Sequence, residues 1–285
     1  MDTASPLATP LLDIENLRVS ARAARGRVEI VRGLSLQLNR ERLAIVGESG
    51  SGKSMTFRSL LGLVPSNISV EATHVKLKGE RINGLDERRL RRLRGSRIGM
   101  VVQDPKQGFD PSQTIGAQIR EMLLLHGKAT PRGAKERVLE LLDSVHIREP
   151  RRVAGQFPHE VSGGMAQRAM LAMVLSAEPD ILVADEVTSA LDAVVRYRIL
   201  ELIDEQVRMR GMGLVLISHD LNLVARYADR VLVLYGGRIM EELSCGDGIM
   251  HATHPYTQGL LSCRPSLRHL ERELPTLQRD AAWLL

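Results

Sequence analysis

The sequence predicts an α/β fold with a mainly parallel core sheet, and its apolar pattern supports this in two ways. Apolar runs of buried-strand length recur at residues 43–46, 181–184, 214–217 and 231–235. Helical patterns at about 192–210 and 221–228 separate the last three of these runs. Strands that alternate with helices place the helices on the faces of a parallel sheet.

Composition points to a globular chain with an aliphatic core. The 285 residues suffice for one large domain or two small ones, and 44% are hydrophobic but only 3% aromatic. No apolar run reaches the length of about 18 residues that a membrane span needs. Residues 1–10 lack a basic start and an apolar segment, so we expect no signal peptide and a protein in the cytosol. Cys245 and Cys263 fit no metal or redox spacing.

The net charge of +5 is concentrated in the arginine-rich residues 87–97. Such a run is compatible with a nucleic-acid patch, a basic face near anionic lipid headgroups, or a solvated helix face with Leu90 and Leu93 packed inward. We favour the solvated face, because no aromatic residue lies nearby to stack on a base.

The remaining elements follow from periodicity and helix signals. Strands are predicted within residues 11–46, 70–79 and 98–102, and helices at 53–63, 115–126 and 165–176. Thr130 and Pro131 resemble an N-cap followed by proline at the first helical position. Ala134, Val138, Leu141, Leu142 and Val145 then share one helical face. The helical character of residues 106–179 inside an α/β chain predicts an inserted helical subdomain.

A glycine-rich loop follows the first apolar strand of the core. It reads Gly47, Glu48, Ser49, Gly50, Ser51, Gly52, Lys53 and Ser54, which matches the phosphate-binding pattern G-x-x-x-x-G-K-[ST]. Glycines let backbone N–H groups approach phosphate oxygens, and the following helix presents its positive end. We expect Lys53 to reach the β- and γ-phosphates and the Ser54 hydroxyl to hold Mg²⁺.

Further motifs follow the loop in order, although each is weak alone. Asp185 and Glu186 end an apolar strand, where ligands meet a parallel sheet, so we expect Asp185 to bind Mg²⁺ and Glu186 to polarise the attacking water. The other motifs are Gln103 after an apolar run, Ser162, Gly163 and Gly164 before a helix, Asp192 in Ser-Ala-Leu-Asp, and His219 in Ile-Ser-His-Asp.

This ordered set resembles the ATP-binding subunit of an ABC transporter over nearly the whole chain. The resemblance implies an ABC nucleotide-binding domain at residues 1–264, with an N-terminal antiparallel β part, and a tail at 265–285. It also implies that Gln103 touches Mg²⁺ or the water and that His219 contacts the γ-phosphate. Ser162, Gly163, Gly164 and Asp192 would complete the nucleotide site in a dimer, in which the signature of one subunit faces the γ-phosphate of the other.

The C-terminal part resembles the ending of oligopeptide, dipeptide and nickel importer ATPases. The similarity rests on residues 236–242, on His254-Pro255-Tyr256-Thr257 and on Met165 in the signature. Some peptide-importing relatives carry a cysteine cluster near the end that this chain lacks, which leans towards the nickel or metal-chelate branch. His251 and His254 also suggest a metal sensor, but two histidines without a third ligand make a poor site.

The chain departs from the family pattern at two positions. Family members place an aromatic residue near Ala21 to stack on adenine, so stacking must come from Arg22 or Arg25, from the partner, or not at all, and we expect weak discrimination between ATP and GTP. Family members also have proline where Val187 stands. Proline biases the preceding residue towards an extended backbone, and valine favours extended conformations less rigidly. We therefore expect Glu186 to be usable but less tightly oriented.

The leading hypothesis is an ATP-hydrolysing subunit that powers uptake of nickel, metal chelates or small peptides at the cytoplasmic face of a bacterial inner membrane. Its expected partners are two transmembrane permease subunits, a second ATPase subunit and, indirectly, an external binding protein. A soluble ABC ATPase acting on nucleic acid or ribosomes is the alternative, disfavoured because there is no long coiled-coil insertion and no second P-loop. A non-catalytic regulatory partner is disfavoured by the intact Lys53, Asp185, Glu186 and His219.

Overall fold

The computed structural model describes residues 9–23, 26–187, 193–245, 249, 251–262, 280 and 283. The strands are β1 (Leu12–Ala23), β2 (Gly26–Leu38), β3 (Arg42–Val46), β4 (Ile68–Glu71), β5 (His74–Leu77), β6 (Glu80–Arg81), β7 (Ile98–Val101), β8 (Ile181–Asp185), β9 (Gly213–Ile217), β10 (Arg230–Tyr235) and β11 (Arg238–Ser244). The helices are α1 (Lys53–Leu60), α2 (Glu87–Leu93), α3 (Ile115–Leu125), α4 (Ala134–Ser144), α5 (Pro150–Ala154), α6 (Gly163–Leu175), α7 (Ala193–Arg210), α8 (Leu221–Tyr227) and α9 (Pro255–Ser262). Short 3₁₀ turns occupy Pro105–Gly108 and Pro158–Glu160.

The chain divides into two compact units, Met1–Gly84 with Leu216–Leu285, and Leu85–Val215. None of the helices in the described ranges is long and apolar enough to cross a membrane. The mixture of strands and helices confirms the predicted α/β class.

The first unit opens with the expected antiparallel sheet, in the order β2-β1-β5-β6 with β4 also pairing with β1. The single strand predicted at residues 70–79 is wrong, because the structure has β4 and β5 there. Strand β1 explains the division. Its register shifts after Ile14, and Asn16 has a left-handed φ of 51°, so β5 pairs with β1 before this kink and β4 pairs with it beyond.

The parallel part of the first unit is built on β3. Residues Leu43–Val46 are buried, and β3 pairs in parallel with β10, which pairs antiparallel with β11. After β9, the Ser218 N–H donates to the Ile45 carbonyl at 3.1 Å. The carboxyl ends of β3, β9 and β10 thus belong to the unit that carries the glycine-rich loop.

The second unit contains the parallel pair β7–β8, with Val101 opposite Ala184. Between these strands the chain is helical, from the turn at Pro105–Gly108 to α6. All five residues of the predicted α4 face, Ala134, Val138, Leu141, Leu142 and Val145, are at most 3% exposed. An all-helical insertion is therefore present, whereas the proposed limits of 106–179 remain a prediction.

The predicted start of α4 is wrong by three residues. Pro131 lies in a turn, and α4 begins at Ala134 with Gly133 as its N-cap. The Thr130 hydroxyl accepts the Gly133 N–H at 3.2 Å, so it closes the turn and does not cap the helix itself. Proline at position 131 suits both roles, because its fixed φ fits the second residue of a turn as well as a helix start.

The arginine-rich segment folds as the short helix α2. Arg88, Arg89, Arg91 and Arg92 are exposed, and Leu90 and Leu93 are half-buried. Asp86 caps the helix by accepting the Arg89 N–H at 2.8 Å. This arrangement fits the solvated helix face favoured from the sequence.

Candidate functional site

The glycine-rich loop joins β3 to α1, as the sequence predicts, and neighbouring backbone determines its shape. Gly47 has φ 150°, and a Cβ there would lie 2.1 Å from the Leu234 carbonyl oxygen. Gly52 has φ 94°, and its Cβ would lie 2.8 Å from the Ile30 carbonyl oxygen. Both positions therefore require glycine, because a side chain would collide with fixed backbone atoms.

The Lys53 side chain folds back towards the start of the glycine-rich loop. The side chain is buried, and Nζ donates to the carbonyl oxygens of Gly47 and Glu48 at 2.8 Å each. The Ser51 hydroxyl is buried without a hydrogen-bond partner among the described residues, and the Ser51 carbonyl accepts the Gly237 N–H at 3.2 Å. An incoming anion would engage two groups here: the buried Lys53 ammonium, and the buried Ser51 hydroxyl, which has no partner among the described residues.

His219 follows β9, in the same unit as the loop. It is exposed, while Ser218 before it is tied to β3 through Ile45. Asp220 after it accepts the Leu223 N–H at 3.3 Å in the first turn of α8. The histidine is thus held between a buried strand and a helix start, beside the strand that leads into the loop.

Gln103, Asp185 and Glu186 lie at the ends of two paired strands in the second unit. Because β7 and β8 are parallel and in register at Val101 and Ala184, all three side chains follow the carboxyl ends of neighbouring strands. Asp185 is 2% exposed, Glu186 is half-buried and Gln103 is exposed. This is the arrangement expected for residues that share one site.

The backbone at Glu186 differs from the expectation based on Val187. Glu186 has φ 49°, in the left-handed region, whereas the sequence offered only extended preferences there, and the expectation that Glu186 is usable but less tightly oriented stays a prediction. Strand β8 ends at Asp185 and the chain turns at once, with Val187 2% exposed. A left-handed conformation is costly for a residue with a Cβ, and such strain is frequent at functional sites.

The signature residues Ser162, Gly163 and Gly164 begin α6. Ser162 is the N-cap, and its hydroxyl accepts the Met165 N–H at 3.3 Å. Ser162 and Gly163 are exposed, and Gly164 is half-buried. Asp192, the remaining predicted nucleotide contact, lies outside the described residues, as does Arg25.

An aliphatic surface lies where the aromatic residue of the family is missing. Ala21 stands opposite Val28 of β2 on one side and Ile68 of β4 on the other, and directly paired residues of antiparallel strands share a face. Val28 is 56% exposed. Arg22 lies on the opposite face of β1, since successive side chains alternate, so one subunit does not stack Arg22 where Ala21 lies.

The same face leads towards the glycine-rich loop. Val19 pairs with Val31 and Ala21 pairs with Val28, because β2 carries one extra residue between Val28 and Val31. The Val31 methyl Cγ2 would lie 3.3 Å from a Cβ at Gly52. A molecule with an anionic end at Gly52 could therefore extend along this face onto Ala21, Val28 and Ile68.

The C-terminal motif packs against the loop, a contact that sequence reasoning missed. The Glu48 N–H donates to the Tyr256 hydroxyl at 3.1 Å, and Tyr256 is fully buried. His254 accepts the Tyr256 N–H on Nδ1 at 3.1 Å. The sequence marked this motif only as a family resemblance, and no local pattern connects residues that are 208 positions apart.

A glycine-rich loop between a buried parallel strand and a helix, with an acidic strand end, defines the chain as a P-loop nucleotide-binding protein. The family model described as "ABC transporter" matches residues 31–189. The chain belongs to the ABC transporter family, and it is an ATPase of that family.

Relatives and solved structures agree with this assignment. The chain is 41% identical to the oligopeptide transport ATP-binding protein OppD of Bacillus subtilis (strain 168), over 91% of this chain and 73% of that one. It is 42% identical to the dipeptide transport ATP-binding protein DppD of the same organism, over 90% of this chain and 77% of that one. A dimeric post-hydrolysis structure of the ATP-binding cassette MJ0796 bound to ADP and Pi superposes with a TM-score of 0.72 at 25% identity, covering 82% of this chain and 99% of that one.

Proposed function

We propose that this chain hydrolyses ATP with Mg²⁺ to drive import of peptides through a membrane permease. The observation that carries the proposal is the preformed loop between β3 and α1, with the buried Lys53 ammonium at its centre. Catalysis of phosphoryl transfer consists mainly of positioning phosphates and stabilising their charge, which is what such a loop provides.

The phosphate-binding role falls to the loop and the first turn of α1. When phosphate oxygens arrive, the three N–H donors of Lys53 exchange the Gly47 and Glu48 carbonyls for anionic acceptors. The backbone N–H groups of residues 50–54 add donors at the positive end of α1. The half-buried Ser54 hydroxyl lies in the same turn.

The donors at Ser54, Gln103 and Asp185 suit Mg²⁺, which prefers oxygen ligands and usually combines one or two carboxylates with substrate phosphates. Bound magnesium would neutralise charge that develops on the phosphates. Asp185, buried at the end of β8, is the carboxylate of this set. We assign Glu186 to orient and polarise the attacking water, and His219 to contact the γ-phosphate.

The exposed signature at Ser162, Gly163 and Gly164 is assigned to the nucleotide held by a second ATPase subunit. An N-terminal helix end with small residues suits an anion, because its N–H groups are accessible. Asp192 is assigned to the same dimer interface. A dimer that closes on ATP and opens after hydrolysis supplies the two-state motion that transport needs.

Peptides are the cargo class that the relatives favour, because OppD and DppD carry oligopeptide and dipeptide names. The leaning towards nickel or metal chelates finds no such support among these relatives. We infer two transmembrane permease subunits and a second ATPase as partners, with an external binding protein acting through the permease. The chain would then lie at the cytoplasmic face of the inner membrane.

The catalytic assignment is tested by replacing Glu186 with glutamine. E186Q keeps the size of the side chain and should nearly abolish turnover, while Mg-ATP binding persists. The matched control is E121Q, which changes an exposed carboxylate on α3 and should leave turnover unchanged. Unchanged hydrolysis in E186Q would refute the assignment of the base.

The transport assignment is tested by affinity purification from detergent-solubilised native membranes. Recovery of two hydrophobic permeases and a second ATPase, followed by ATP-dependent peptide uptake in vesicles, is the expected result. Recovery of nucleic acid or ribosomes without membrane proteins would replace the importer assignment with a soluble ABC ATPase and give the arginines of α2 a direct role.

A further inference from the structure

The first unit contains a hydrogen bond between the C-terminal segment and the glycine-rich loop that the proposed phosphate chemistry does not use. The Tyr256 hydroxyl, at the start of α9, accepts the backbone N–H of Glu48 at 3.1 Å. Tyr256 is fully buried and Glu48 is half-buried, so this bond is partly shielded from water. Removing the acceptor from an N–H in such a position costs free energy, because water replaces the acceptor only in part.

The bond holds one side of a backbone unit whose other side is held by Lys53. The N–H of Glu48 meets Tyr256, and the carbonyl of Glu48 accepts from Lys53 Nζ at 2.8 Å. When Lys53 turns to a phosphate, its bonds to the loop are given up or shared. The Tyr256 contact is independent of phosphate, so it can keep the first half of the loop in place in both states.

Tyr256 is itself held firmly by its neighbours. Its ring lies 4.6 Å from the ring of Tyr235 and 5.7 Å from that of Trp283, centroid to centroid. Its N–H donates to His254 Nδ1 at 3.1 Å. Aromatic contacts at these separations add stability beyond area burial, and together they leave the hydroxyl little freedom.

The segment that carries Tyr256 is anchored to β11 by one carboxylate. Glu241 Oε1 accepts the Thr253 N–H at 2.6 Å, the Thr253 hydroxyl at 2.8 Å and the His254 N–H at 3.2 Å. Hydrogen bonds to an ionised carboxylate are stronger than those between neutral groups. The position of Tyr256 is thus determined by the fold on both sides of the ring.

We propose that Tyr256 is a positioning residue that sets the affinity of the loop for ATP through the Glu48 N–H. The proposal rests on the proposed function, because it concerns the phosphate-binding role of the same loop. Tyr256 acts on the loop backbone and touches no reacting atom. The C-terminal segment thereby becomes part of the nucleotide site.

The test is Y256F, which removes only the hydroxyl and keeps the buried ring. We expect the Kd of Mg-ATP and the KM of hydrolysis to rise about three- to tenfold, because the empty loop without this bond is less often in the shape that binds phosphate, and the energy of one hydrogen bond limits the effect. Turnover at saturating ATP should stay within about twofold, because the catalytic groups are unchanged. Thermal denaturation without nucleotide shows whether the variant is folded.

The matched control is Y235F. It removes a hydroxyl from the adjoining ring, and in the described part of the chain no hydrogen bond joins that hydroxyl to the loop. Y235F should bind Mg-ATP like the parent protein. Unchanged ATP affinity in Y256F, or an equal loss in Y235F, would overturn the proposal. A fall in melting temperature and turnover with unchanged ATP affinity would also overturn it, because a merely structural role predicts that result.

K53A separates this proposal from the proposed function. Loss of ATP binding in K53A, together with parent-like binding in Y256F, would refute only the role of Tyr256. Equal ATP binding by K53A and the parent protein would refute the phosphate-binding role of the loop itself.

Discussion

Restoring an aromatic residue at position 21 should tighten nucleotide binding. Ala21 lies between Val28 and Ile68 on the face of β1 that continues, through Val31, to Gly52 of the loop. A nucleotide with its phosphates in the loop can lay its base on this aliphatic surface. The variant A21F would offer the base an aromatic ring at the same place.

The expected gain follows from the difference between an aromatic and an aliphatic contact. Base stacking on aromatic side chains is worth about 1–3 kcal/mol. The lower part of this range applies here, because the ring would replace an existing aliphatic contact and Val28 beside it is 56% exposed. A gain of about 1–2 kcal/mol corresponds to a Kd for ATP about fivefold to thirtyfold lower.

Strand alternation supplies a matched control for this experiment. Arg22 follows Ala21 in β1 and pairs with Arg27, so its side chain lies on the other face of the sheet. R22F adds a ring of the same kind on that other face and should leave the Kd unchanged. Titration calorimetry in the E186Q background would measure both variants without hydrolysis.

Either of two results would refute the reasoning. An A21F protein that is folded but binds ATP no more tightly would show that the base does not reach this surface. Equal tightening by R22F would show a nonspecific effect of added apolar surface, and the direction inferred from Gly52 to Ala21 would be wrong.

Three other predictions concern the nucleotide base, the C-terminal segment and Cys245. An aliphatic base surface reads no donor or acceptor pattern, so initial rates of hydrolysis should be similar with ATP and GTP, and a strong ATP preference would contradict this. Burial disfavours the charged form of Glu241, but the nearby Thr257 hydroxyl and the hydrogen bonds from Thr253 and His254 outweigh it and lower its pKa below the ordinary 4.5. Its stabilising effect is therefore present above that value and lost as pH falls through the lowered pKa. E241Q should melt a few degrees lower than the parent protein at pH 7.5, and this difference in melting temperature should shrink as the pH falls below 4.5, whereas a pH-independent difference would refute this. Burial raises the pKa of the Cys245 thiol to about 11, so in a C263S background its alkylation at pH 8 should be roughly a hundredfold slower than that of a free thiol, and fast labelling would contradict the raised pKa of this half-buried thiol.

Elements with strong local signals could be predicted from the sequence to within a few residues. The sequence predicts the loop at 47–54 and the buried strands β3, β8, β9 and β10, because the glycine pattern and the apolar runs lie within these elements themselves. The division between β4 and β5 could not be predicted, since neither glycine nor proline marks it. Its cause lies in the partner strand, at the left-handed Asn16 of β1.

Residue types at the site were easier to predict than their conformations. The pairing of β7 with β8 brings together the strand ends that lead to Gln103 and to Asp185 and Glu186, and the sequence named these residues without predicting that pairing. The left-handed φ of 49° at Glu186 was not predicted, because backbone preferences of the following residue are weak compared with a turn that the fold imposes. The contact between Glu48 and Tyr256 depends on tertiary packing alone.

Backbone atoms define most of the loop's boundary, which limits where sequence changes can tune it. The Leu234 and Ile30 carbonyls leave no room for a Cβ at Gly47 and Gly52, and the Gly237 N–H holds the Ser51 carbonyl. Substituting the side chains of β2 or β10 leaves these atoms in place as long as the strands form. The Tyr256 hydroxyl is different, because one substitution removes it without disturbing a strand. A single substitution outside the loop can therefore adjust nucleotide affinity at a side-chain contact of this kind.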